Sequence, residues 1–165
     1  MTADKKSFLP PRALLIALLV QIPWLVLRWP RAWSPAWLAA GGAAMLAGAW
    51  LNLAADRRFR TAQVGVCPFS ATPRLVLDGP YRFTRNPMYL GMTLLATTPA
   101  LLAGLPLNLL AAAGFALWVD RAFIRREERF LEQQFGSAYQ AYRIRVWRWL
   151  GASILEAEHR AARNQ

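Results

Sequence analysis

From Ala32 to Ala55 the chain has no ionisable side chain over about 24 consecutive residues. A helix rising ~1.5 Å per residue crosses the ~30 Å hydrocarbon core of a bilayer within that length. A second uncharged stretch, about 32 residues from Met88 to Val119, is interrupted by Pro99, Gly104, Pro106 and Asn108. It is too long for one span, so two shorter antiparallel helices are expected, turning near Leu102 to Asn108 and accommodated by tilt or local bilayer thinning. A third apolar run, Ala13 to Leu27, contains Pro23 and follows Lys5, Lys6 and Arg12. That layout also suits a signal peptide. No small-residue cleavage site follows, however, and Trp24, Trp29, Trp33 and Trp37 read as an interfacial aromatic belt.

The expected fold is therefore all-α: an integral membrane protein of about four transmembrane helices, the last two a helical hairpin, with a C-terminal cytoplasmic or interfacial helical segment. As one domain over 1–165, it divides into spans at 12–29 and 32–55, a cytoplasmic loop at 56–87, the hairpin at 88–119, a helical segment at 120–150 and a tail at 151–165. Composition agrees, with 56% hydrophobic and only 18% charged residues. Eight Trp and eight Phe exclude a disordered basic chain. Single Cys67 and His159 leave no disulfide framework and no Cys/His metal cluster within the chain, so no metal is expected.

Twenty Lys and Arg against nine Asp and Glu give a net charge of +11. These cations lie at helix ends: Lys5, Lys6 and Arg12; Arg57, Arg58, Arg60, Arg74, Arg82 and Arg85; then Arg121, Arg125, Arg126, Arg129, Arg143, Arg145 and Arg148. The opposite loops hold only Arg28 and Arg31. The positive-inside rule places both termini in the cytoplasm, which means the inner membrane in a bacterium. The charge is thus explained by a bilayer partner and not by nucleic acid.

Two segments carry chemistry. In the first, Asp78-Gly79-Pro80 signals a turn, and Asn86-Pro87 reads as an N-cap followed by proline at the first helical position. The free N–H groups of that helix start, beside Arg85, suit a carboxylate or phosphate. Alternatively, Asn86 and Pro87 only begin a helix that Tyr81 and Tyr89 anchor at the interface. In the second, Asp120 to Phe135 has helical periodicity and ends at Gly136. Steps of ~100° put Phe123, Ile124, Phe130, Leu131 and Phe135 on one arc, with Arg125, Arg126, Arg129 and Gln133 opposite. Glu127 and Glu128 fall on the apolar side, where a carboxylate needs a partner. An arginine such as Arg82 or Arg85 is one candidate, and a ligand with vicinal hydroxyls is the other. Beyond Gly136, Tyr139 to Trp149 forms a basic, aromatic strip suited to lipid headgroups.

Gly79-Pro80-Tyr81, Arg85-Asn86-Pro87-Met88-Tyr89-Leu90-Gly91, Glu127-Glu128 and Phe135-Gly136 with Tyr139 and Tyr142 together resemble the isoprenylcysteine carboxyl methyltransferase family. That family belongs to a wider group of membrane methyltransferases that includes phospholipid methyltransferases. The similarity spans about Pro73 to Trp149, while the first two helices match only in being apolar. It implies an S-adenosylmethionine site at the membrane surface, with Tyr81, Asn86, Pro87 and Tyr89 as cofactor contacts and Pro73, Arg74, Leu75 and Val76 lining the pocket. It further implies that Arg85 orders the loop or meets the cofactor carboxylate, that Glu128 binds ribose or cofactor beside Glu127, and that Arg145 reaches the acidic group of the acceptor. Arg145 and Glu128 are the catalytic pair so implied. Two positions depart from the family: Asn86 stands where eukaryotic members carry His, and Trp147 where Pro is usual. The implied activity is methylation of a lipidic or amphipathic acceptor, with a carboxylate first. A phospholipid amine, or a non-enzymatic protein of the same fold, are the alternatives. In-line methyl transfer relies on positioning, so the absence of a histidine base or nucleophilic cysteine is compatible with it.

Overall fold

The computed structural model describes residues 9–28, 34–63 and 74–150. Lys5, Lys6, Trp29, Arg31, Trp33, Cys67, Pro73, His159 and the tail at 151–165 lie outside the described residues.

The described residues are helical, with no strand among them: α1 Leu9–Leu19, α2 Ile22–Arg28, α3 Pro35–Thr61, α4 Pro87–Leu102, α5 Leu109–Val119, α6 Arg125–Phe135 and α7 Ser137–Arg145. The first apolar run is broken at its middle. Pro23 has no N–H to donate back to Leu19, and the Gln21 N–H bonds the Leu18 carbonyl at 3.1 Å, tightening the turn. The Ala17 carbonyl is then taken by the Gln21 side-chain amide at 2.9 Å, which also bonds Ala96 in α4 at 3.0 Å. Gln21 is buried, so its amide fastens the broken run onto α4.

Helix α3 begins with Pro35 after an extended Ser34 and runs past the uncharged stretch to Thr61, with Arg58 and Arg60 in its last turn. Its buried residues are Gly41, Ala44, Gly48 and Ala55. With so little side chain on that face, α3 and α4 approach backbone to backbone. A Cβ on Gly48 would lie 2.7 Å from the Gly91 carbonyl oxygen, and one on Gly91 would lie 2.7 Å from that of Gly48 and collide with the Asn52 amide. Small residues at a helix crossing are how membrane helices gain contact without a hydrophobic drive between them.

Helix α4 contains Pro99, and the hydroxyls of Thr97 and Thr98 both bond the Leu94 carbonyl, at 2.7 and 3.1 Å. After Leu102 the chain reverses through Gly104, at φ 61°, and a 3-10 turn at Pro106–Asn108 into α5. Ala96 of α4 packs with Ala112, Phe115 and Val119 of α5, and with Phe123 and Ile124 beyond it, while Ala13, Leu14 and Ala17 of α1 cover this core. Outside it, Leu15, Ile16, Leu19, Trp24, Val26, Leu46, Trp50, Leu53, Leu110 and Leu117 are exposed. Pro10–Leu27 and Pro35–Thr61 are long and apolar enough to cross a membrane, and Pro87–Leu102 is a shorter apolar helix. An apolar belt of this kind suits lipid as its solvent.

Between α5 and α6 the chain makes one π-helical turn, Asp120–Ile124. The wider turn stacks residues five apart, and Arg125 Nε donates to Asp120 Oδ2 at 2.7 Å. It adds a phase step that a uniform ~100° count over Asp120 to Phe135 does not contain. Phe123 and Ile124 are nevertheless buried, Phe130, Leu131 and Phe135 half-buried, and Arg125, Arg126, Arg129 and Gln133 exposed.

Candidate active site

The site forms at the foot of α4, where the loop before it meets α6 and the chain leaving α7. Asp78-Gly79-Pro80 opens a 3-10 turn, Gly79–Arg82. Gly79 has φ 64°, a conformation that favours glycine, and a Cβ there would also displace the Arg58 side chain, whose Nε would lie 2.6 Å away. Arg58 instead pairs with Asp78 at 3.1 Å, tying the turn to the end of α3. Tyr81 is buried, stacks on Phe59 with centroids 5.4 Å apart, and its carbonyl accepts the Tyr142 hydroxyl at 2.7 Å.

Asn86 precedes α4 with non-helical dihedrals, φ −132° and ψ 58°, and Pro87 holds the first helical position. The expected cap is only half present. The Asn86 side chain makes no capping bond, because its amide Nδ2 donates to the Arg148 carbonyl at 3.2 Å. Thr84 Oγ1 donates to the same carbonyl at 3.1 Å, and the Arg85 N–H bonds the Trp147 carbonyl at 2.9 Å. Arg85 Nη1 reaches the carbonyls of Arg143 and Val146 at 3.0 and 3.1 Å, which are the open end of α7. Residues 143–148 are thereby strapped across the start of α4.

Glu128 lies beneath this strap, 5% exposed, with both oxygens engaged. Oε1 accepts Arg85 Nε at 3.0 Å and Nη2 at 2.9 Å, while Oε2 accepts Arg148 Nη2 at 2.7 Å and Nε at 3.2 Å. Arg148 also reaches Asp120 Oδ1 at 3.2 Å, and its pKa is raised, chiefly by the hydrogen bonds it donates to Glu128 and further by the Glu128 and Asp120 charges, against a lowering by partial burial. Of the two partners considered for Glu128, the structure shows an arginine, Arg85, and adds a second. Arg82 is exposed.

Glu127 differs sharply from its neighbour. It is half-buried, its Oε1 accepts the Tyr89 hydroxyl at 3.0 Å, and no ion pair to it occurs among the described residues. Its carboxyl is raised to about 7, chiefly by burial and in part by the Glu128 charge, against the Tyr89 hydrogen bond, which lowers it. Tyr89 is itself buried, its ring 6.4 Å from Phe123.

The structure brings Tyr81, Arg85, Asn86, Pro87, Tyr89, Glu127 and Glu128 together, and Leu75 joins them by packing on the Tyr139, Tyr142 and Val146 cluster. Val76 is half-buried close by in sequence, whereas Arg74 is exposed and bonds the Thr61 carbonyl at 3.3 Å. Arg145 is exposed too, its Nε donating to Ala141 of its own helix at 3.2 Å. Sequence reasoning missed Thr84, Asp120 and Arg148 as members. For Asp120, a lone acid after a long uncharged run was the available signal. No group of three potential metal ligands occurs among the described residues.

The family model for phospholipid methyltransferase matches residues 36–138, which runs from α3 through the loop and both glutamates into α7. A protein of Haemophilus influenzae described as uncharacterized is 38% identical over 63 residues, which is 38% of this chain and all of that protein. No solved structure matches. With more than half its length matched, including the loop before α4 and both glutamates though not the strap at 143–148, the chain belongs to the phospholipid methyltransferase family of membrane methyltransferases.

Proposed function

We propose that this protein transfers a methyl group from S-adenosylmethionine to an amphipathic acceptor at the cytoplasmic face of a membrane. The observation that carries the reading is the meeting of the Tyr81 to Tyr89 segment with Glu127 and Glu128 in one partly buried cluster at the end of an apolar helix. The cofactor would supply an electrophilic methyl on sulfur. The donor set fits such a group. The first turn of α4 has no side-chain cap, which suits the cofactor's carboxylate. Asn86, Pro87 and Tyr89 would hold the cofactor from α4, Tyr81, Leu75 and Val76 from the loop, and Arg74 from its exposed margin. Glu128 would act by fixing Arg85 and Arg148 around the site.

For the acceptor, an amine-bearing phospholipid headgroup is favoured by the family match and by the carboxylate of Glu127, which makes no ion pair among the described residues. A carboxylate acceptor is the second reading, favoured by Arg145, an exposed arginine in no ion pair among the described residues. Binding of S-adenosylhomocysteine to the detergent-solubilised protein tests the common part of both. Wild type binds, and Glu128→Gln binds at least about ten-fold more weakly, ~1.4 kcal/mol, as Arg85 and Arg148 lose their shared anchor. Absence of binding by wild type would support a non-enzymatic protein of the same fold.

A further inference from the structure

We infer that the adjacent glutamates have divided roles, and that Glu127 is the catalytic proton acceptor for an amine headgroup while Glu128 is a positioning residue. This deepens the amine-acceptor reading and rests on it. Two neighbouring carboxylates on one helix have opposite surroundings. Glu128 is enclosed by Arg85 from the loop and Arg148 from the strap, so both oxygens are neutralised and held. Glu127 faces α4 and is held at one oxygen by a neutral hydroxyl, that of Tyr89. Its charged and titratable neighbours are Tyr89 from α4, Tyr81 from the 3-10 turn and Glu128 on its own helix; Arg85 and Arg148, the nearby cations, are engaged by Glu128. A carboxylate fixed in position by a hydroxyl, half-buried and with no cation paired to it among the described residues, is a seat for an ammonium group and a place to put its proton.

Amine methylation requires that proton to leave. A protonated headgroup has no lone pair, so its N–H proton passes to the Glu127 carboxylate, giving the neutral amine and a carboxylic acid. The nitrogen lone pair then forms the N–C bond as the S–C bond breaks, and that electron pair remains on sulfur. The proton on Glu127 returns to solvent through its exposed edge, for a net release of one H⁺ per methyl transferred. A carboxylate acceptor would need no such step and would be repelled by Glu127.

The test uses the full-length protein in vesicles of phosphatidylethanolamine with methyl-labelled S-adenosylmethionine, comparing wild type, Glu127→Gln and Tyr89→Phe from about pH 5 to pH 9. Binding of S-adenosylhomocysteine and the infrared band of the protonated carboxyl are followed in parallel. The expected result is that wild type shows an acidic limb near pH 7, with a matching infrared titration that Glu127→Gln lacks. Glu127→Gln retains S-adenosylhomocysteine binding within about three-fold, loses about a hundred-fold or more in rate, and no longer has that limb. Tyr89→Phe moves the limb, and the infrared titration with it, to higher pH, because the hydrogen bond that lowers the Glu127 carboxyl is lost. The inference is overturned if Glu127→Gln keeps the limb, or if its binding falls in step with its rate, which would make Glu127 a cofactor ligand. Wild type that binds S-adenosylhomocysteine, leaves phosphatidylethanolamine unlabelled and labels a carboxylate lipid added to the vesicles overturns the inference and the amine acceptor while leaving methyl transfer standing. Wild type that neither binds nor labels overturns the methyltransferase reading itself.

Discussion

Glu128 and Glu127 show how much one position along a helix can matter. Glu128 is tied to two guanidinium groups in a site that excludes most water, and removing one partner of such a set leaves charge uncompensated. Arg148→Ala should therefore lower unfolding stability by about 1–3 kcal/mol, less than a fully buried pair would lose because Arg148 is partly exposed; chemical denaturation in detergent measures it. Glu127 should behave in the reverse sense. Its folded pKa lies above that of the unfolded chain, so between the ordinary carboxylate range and about 7 the native state holds the extra proton. Stability from this group is then complete at low pH and lost as pH rises through about 7. Glu127→Gln should be more stable than wild type at pH 8 by at least about 1 kcal/mol, since one pKa unit is worth ~1.4 kcal/mol, and should show no difference in acid. Equal stabilities across the pH range would mean that Glu127 ionises as an ordinary surface acid.

At the scale of elements, the contact of α3 with α4 rests on missing side chains. Gly48→Ala or Gly91→Ala should push the two backbones apart and cost about 1–3 kcal/mol, whereas Gly42→Ala and Gly114→Ala, with open space at the Cβ position, should not destabilise. Thermal unfolding of the four variants in one detergent gives the comparison. Much at this scale was legible in the sequence: proline and glycine at 99 and 104 to 108 marked the reversal, Gly79 the turn, Pro87 a helix start and Gly136 a helix end. The break at Gln21 and the π turn at Asp120 were not, because each depends on a tertiary partner. Ala96 receives the Gln21 amide, and Arg148 from the strap meets Asp120. The site was half legible for the same reason. Periodicity put both glutamates on the packed side of α6, but only tertiary contact shows Arg85 and Arg148 on Glu128 and leaves Glu127 with Tyr89. Asn86 looks like a cap in sequence, yet its side chain bonds the strap.

For the whole molecule, net charge and apolar surface describe one arrangement. The exposed leucines and tryptophans of α1 to α3 suit lipid, and the cations concentrate at the ends of the apolar helices and in the segments that follow, where anionic headgroups would hold them. The proposed topology has a direct readout in Cys67, the single cysteine of the chain, which follows α3 in sequence. A membrane-impermeant maleimide should label it in inside-out vesicles and not in right-side-out ones; the converse would reverse the orientation. The central claim is that the cluster at the foot of α4 moves a methyl group onto a lipid. The measurement that tests it most directly is incubation of the purified protein with methyl-labelled S-adenosylmethionine and a total lipid and membrane extract, followed by counting and identifying the label in the organic phase. Label in an amine-bearing phospholipid, dependent on Glu127 and Glu128, is the predicted result. A lipid fraction no more labelled than with protein omitted would contradict it.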